Sequence, residues 1–119
     1  MTFKEYQCNI YGAKVWFISG CTHLQCKKKL ESKLNAEIDN WDHENSEGFT
    51  EIYSDPTVFV VWINDKKDIY TLLHEVVHLA IEILNDRGVK ISESENGEVL
   101  AYYVEYWFKT LTNKKKNDK

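Results

Sequence analysis

Residues 70–84 read Tyr70-Thr71-Leu72-Leu73-His74-Glu75-Val76-Val77-His78-Leu79-Ala80-Ile81-Glu82-Ile83-Leu84. The run has no proline or glycine, is too long for an ordinary strand, and is expected to be a helix. It is apolar on nearly every side, which predicts a helix buried in the core. Inside it stands His74-Glu75-x-x-His78. On a helix, two imidazoles four residues apart lie one turn apart on the same face, close enough to share a metal ion. Glu75 follows the first of them and is placed to take a proton from a metal-bound water. Three ionisable groups on a buried helix need compensation, and a divalent cation is the simplest partner for this trio.

The rest of the chain is a setting for that helix. Its 119 residues make one domain with a single modest core. Four Trp, seven Tyr and five Phe promise a well-filled interior. A net charge of −4 argues against a general nucleic-acid surface. The lysines at 27–29 and 114–116 read as a solvated helix face and a soluble tail. No run of about 18 uncharged apolar residues is present, so no membrane-spanning helix is expected. The N-terminus lacks a signal-peptide core, and Cys8, Cys21 and Cys26 are odd in number with no C-x-x-C. Together these predict a reducing, cytoplasmic setting. A zinc site from Cys21, His23 and Cys26 is disfavoured by its spacing.

In chain order, Tyr6–Tyr11 and Lys14–Ile18 are β-branched and aromatic runs, a hairpin or two bent strands joined near Gly12. Thr22 is expected to cap a helix from His23 to about Asn35, with Leu24, Leu30, Leu34 and Ile38 as a sparse apolar stripe. A polar loop follows over 39–48, carrying Trp41 and His43. Strands are expected over 48–53 and 57–63, separated by a turn at Ser54-Asp55-Pro56. The second strand, Thr57-Val58-Phe59-Val60-Val61-Trp62-Ile63, is apolar on both faces and so is read as buried on both. Asp68 or Asp65 caps the helix that follows, and Gly88 stops it. Ser92-x-x-Glu95 is a capping-box pattern opening a last helix that runs to about Leu111. The expected fold is therefore α+β. A small antiparallel or mixed sheet packs against an N-terminal helix and two long C-terminal helices carrying the metal site. One domain covers 1–112, and 113–119 is a lysine-rich tail expected to be disordered.

Catalytic zinc normally takes three protein ligands and a water, so a third ligand is needed. From His78 to the helix end near Leu84 is about 9 Å at 1.5 Å per residue. If the last helix packs antiparallel, its ligand must lie at comparable depth. Glu98 meets that condition, Glu95 is the second choice, and Glu105 is roughly 10 Å too deep. Tyr102 shares the Glu98 face, four residues on. It is the preferred candidate, ahead of Tyr103 and Tyr106, to donate to an oxyanion or orient an imidazole. Tyr103 and Tyr106 are otherwise read as core, and His23 and His43 as solvent-facing.

His74-Glu75-x-x-His78, nineteen residues and then Glu98 resembles the gluzincin pattern of thermolysin-like peptidases. The small size is similar to that of minigluzincins, to short phage- and prophage-encoded metallopeptidase-like proteins and, distantly, to the ImmA/IrrE peptidases. The resemblance implies a zincin-like fold and a small cytoplasmic zinc-dependent peptidase. His74, His78 and Glu98 would hold Zn2+, and Glu75 would be the general base. It further implies a peptide or protein substrate lying along strand 57–63. The chain departs from the pattern four residues after the ligand glutamate, where Tyr102 replaces an acidic residue. Two other readings compete. One is a non-catalytic or weakly active zinc-binding module of a phage or mobile element. The other is a regulator that removes or sequesters a partner protein. Fourteen lysines to one arginine suit an AT-rich genome.

Overall fold

The computed structural model describes the chain except residues 55, 92–93 and 114–119, and leaves out the side chains of 94–96. Four strands and three helices follow in the order β1 (Thr2–Gln7), β2 (Lys14–Ser19), α1 (His23–Leu34), β3 (Gly48–Tyr53), β4 (Val58–Ile63), α2 (Ile69–Asp86) and α3 (Ser94–Thr112). The fold is α+β, as expected. The sheet is mixed, in the order β1-β2-β4-β3, with β2 and β4 parallel and the outer pairs antiparallel.

The alternation of side chains along the strands sorts the core into two layers. Val15 and Phe17 of β2, with Phe59, Val61 and Ile63 of β4, face α2 and α3. Trp16 and Ile18, with Val58, Val60 and Trp62, face the other way and meet Cys26 and Leu30 of α1. All six residues of β4 are buried. That agrees with its unbroken apolar sequence, because β4 has a strand on each side and a helical layer on each face. Each such side chain contributes roughly 1.5–3 kcal/mol by leaving water.

Several local readings are met in detail. Thr22 caps α1 in a full capping box with Gln25. Asp68, of the two candidates, caps α2: it accepts the Thr71 N–H (3.0 Å) and hydroxyl (2.6 Å). Those bonds hold its carboxyl below the usual range. Gly88, at φ 79°, ends α2, with Val89 N–H donating to the Leu84 carbonyl and Gly88 N–H to that of Asn85. That is the Schellman arrangement, and it needs the left-handed residue.

Others are corrected. The first strand starts at Thr2 and stops at Gln7 rather than spanning 6–11. Cys8 to Ala13 is instead a turn, closed by Cys8 N–H to Ala13 O and Gly12 N–H to Cys8 O, and it leaves Ile10 exposed. On α1 the buried positions are Cys26 and Leu30, while Leu24 is exposed. The helix has only one sheet to cover and so buries a narrow stripe. The α2 helix is amphipathic rather than buried all round. Leu72, Glu75, Val76, Leu79, Ala80, Ile83 and Leu84 are buried, while Tyr70, Leu73, His74 and His78 are exposed. The Ser92 capping pattern and all but Asn113 of the expected tail lie outside the described residues. No helix among the described residues is long and apolar enough to cross a membrane.

Candidate metal and hydrolytic site

The two histidines meet on α2. The rings of His74 and His78 stand 4.8 Å apart, centre to centre, at 70°, both on the exposed face. Glu75 points elsewhere. Its residue is 7 % exposed, and its carboxylate accepts a 2.7 Å hydrogen bond from the Thr50 hydroxyl, which also lies 3.0 Å from the Glu75 carbonyl. The helix thus brings two imidazoles to the surface and turns the carboxylate between them towards β3. A groove of about 380 Å³ runs there, lined by 46–48 and by Tyr70, Thr71, His74 and Glu75.

Close contact between β3 and α2 depends on Gly48. A Cβ at that position would stand 2.7 Å from the Trp62 carbonyl oxygen and 2.9 Å from Thr71 Cγ2. Any side chain there would push the strand off the helix and widen the Thr50–Glu75 contact. Thr50 shares the α2-facing side of β3 with Gly48, being two residues on. Sequence reading missed Thr50; the signal was this parity in a strand that starts with glycine.

The strand beside the site is β3 and not 57–63. The expected peptide-pairing strand, β4, is an inner strand with β2 and β3 on its two edges, so neither edge is open to a peptide. β3 ends the sheet. Asn64 N–H donates to the Glu47 carbonyl at 2.8 Å, which fixes the phase of the ladder. Phe49, Glu51 and Tyr53 therefore pair with β4 through their backbones, and Gly48, Thr50 and Ile52 turn theirs to the open edge.

The other expected residues are less closely gathered. Glu98 is exposed in the first half of α3. Glu95, the second choice, has a side chain outside the described ones. Among the described residues no three His, Cys, Asp or Glu groups are grouped so as to hold a metal. Tyr102 is 68 % exposed. Tyr103 is core, and burial, with Cys8 beside it, pushes its phenol up. Tyr106 is partly exposed and stacks on Tyr103 at 5.9 Å.

His23 and His43 are not solvent-facing. Trp41 Nε1 donates to His23 Nδ1 at 3.0 Å, and His43 Nε2 is 2.6 Å from Glu51 Oε2 while its ring stacks on Phe49. Tyr53 donates to the other Glu51 oxygen at 2.6 Å. Burial and this bond push the Tyr53 phenol up. All three cysteines are free and buried, and burial pushes the Cys21 and Cys26 thiols up.

Compared with protein-family models, curated proteins and solved structures, the chain matches none of them.

Proposed function

We propose that the chain is a small zinc-dependent peptidase, with His74, His78 and Glu98 as metal ligands and Glu75 as general base. The observation that carries this reading is the division of labour along one turn of α2. Two imidazoles stand together on the open face, and the carboxylate between them lines a groove below an unpaired strand edge. The donor set fits zinc: neutral imidazoles and a carboxylate are its ordinary ligands. Two of the three proposed ligands are already adjacent, and Glu98 is the third by its spacing. Bound zinc would supply Lewis acidity and a water of lowered pKa.

The chain's own residues do the rest. Thr50 holds the Glu75 carboxylate towards the groove, ready to take a water proton and pass it to a leaving amine. The outward backbone groups of Gly48, Thr50 and Ile52 can pair with an extended peptide and lay its carbonyls along the groove. Tyr102, exposed four residues beyond Glu98, is free to donate to the developing oxyanion.

A second reading is a zinc-binding module that engages a partner protein without turnover. It is favoured by Tyr102, which stands where the resembled peptidase pattern has an acidic residue. Elemental analysis of the wild type, Glu75→Gln and Glu98→Ala, with hydrolysis of a mixed peptide library, separates the two. The peptidase reading expects about one zinc per chain in the wild type and in Glu75→Gln, loss of zinc in Glu98→Ala, and cleavage by the wild type alone. Zinc without cleavage supports the binding module. No zinc in any of the three overturns both.

A further inference from the structure

A second cavity lies away from the histidines, where β2 ends. It has a volume of about 390 Å³ and is lined by β1, β2, the β4–α2 loop, the first turn of α2 and the end of α3. That is within the range of small-molecule pockets, at its lower end. Its polar lining is one-sided. Lys4, Lys66 and Lys67 all border it, and among the described residues no carboxylate does. Among the described residues none of these three ammonium groups has an ion-pair partner. Three uncompensated cations around one cavity stand out in a chain of net charge −4. The Lys66 stem lies over Gly20 at the end of β2, since a Cβ there would be 3.6 Å from its Cδ.

Ser19 supplies an independent observation. It is 4 % exposed, lines the cavity, and its hydroxyl has no hydrogen-bond partner among the described residues. Its residue lines the cavity, so the hydroxyl can donate to a molecule held there. The remaining wall is apolar, with Phe17, Leu72 and Leu111 exposing ring and methyl surface to the same space.

We propose that this cavity binds an amphiphilic organic anion, a carboxylate carrying an apolar body. Ser19 donates to one oxygen of the anion, and Lys4, Lys66 and Lys67 balance its charge. The apolar body lies on Phe17, Leu72 and Leu111. The pocket is separate from the groove at His74 and does not depend on the peptidase reading.

Calorimetry of the full chain with decanoate, decanol and inorganic phosphate tests it, on the wild type, Ser19→Ala and the double variant Lys66→Gln/Lys67→Gln. Decanoate is expected to bind roughly tenfold or more tighter than either other probe, the factor that about 1.4 kcal/mol of charge recognition gives. The double variant is expected to lose about tenfold in decanoate affinity and to gain nothing for decanol. Its changes are on the surface, so it stays informative even if Ser19→Ala does not fold. Equal binding of decanol would make the cavity merely apolar and overturn the proposal. Equal binding of phosphate would remove the role of the wall and overturn it too. So would no binding, or decanoate binding unchanged in the double variant.

Discussion

Two carboxylates are held on either side of β3, and they are held differently. Glu51 points to the α1 side and has both oxygens engaged: the Tyr53 hydroxyl donates to one and the His43 ring meets the other, each at 2.6 Å. Glu75 comes up from α2 on the opposite side and has a single side-chain donor, Thr50, with an open groove beside it. A carboxylate with each oxygen held by a neighbouring side chain is a fastener. It pins the loop that carries His43 to the sheet. A carboxylate with one fixed donor and access to water keeps acceptor capacity for chemistry. The strand between them carries both arrangements because successive side chains point to opposite faces.

Moving β3 itself is the strongest way to break this contrast. Gly48→Ala places a methyl 2.7 Å from a backbone oxygen that cannot rotate away. The expected cost is about 2–3 kcal/mol in chemical denaturation, as for other overpacked sites. A loss below roughly 0.5 kcal/mol, the scale of ordinary surface changes, would mean that Gly48 does not pass so close to the Trp62 carbonyl and Thr71.

A matched pair of variants sharpens it. Glu51→Ala strands two donors and is expected to cost about 2 kcal/mol, whereas Thr50→Val is expected to cost about 1 kcal/mol because water in the groove can replace the hydroxyl. Thr50→Val costing as much as Glu51→Ala would show that Glu75 is as firmly fastened as Glu51, and the distinction would fail.

The smallest effect concerns the start of α2, which sets where Glu75 stands. The Thr71 bonds depress the Asp68 carboxyl in the folded chain. Its contribution is therefore present above the unfolded carboxyl value, about 3.9, and is lost as pH falls through the lower folded value. Asp68→Asn should flatten the acid limb of the melting-temperature profile and leave the neutral plateau nearly in place. An unchanged acid limb would remove Asp68 from the account.

Much of this was legible in the residues. Val58–Ile63 could only be a strand buried on both faces, since six consecutive large apolar side chains leave no solvent face. Thr22 and Gly88 marked helix ends through local chemistry that needs no tertiary partner, and Asp68 was one of two candidates for a third. The His74–His78 pair followed from helical periodicity alone. The exposure of that pair was not legible. Eighteen mostly apolar residues in α2 looked buried all round, but the sheet and α3 leave one of its faces uncovered, and Tyr70 and Leu73 share that face with both histidines. Nor was the pairing of His23 with Trp41 and of His43 with Glu51, since each joins segments whose approach is set by the fold.

The sequence by itself determined most of the elements, the Thr22 and Gly88 helix ends and the spacing of His74, Glu75 and His78, because these depend on neighbours within a turn or a strand. Only the tertiary structure decided which strand is the open edge. β4 is more apolar than β3, yet β2 returns parallel beside it and closes its second edge. That leaves β3 at the margin with Thr50 over Glu75. Strand order is a long-range choice, made by how two apolar layers cover one sheet, and no local pattern records it.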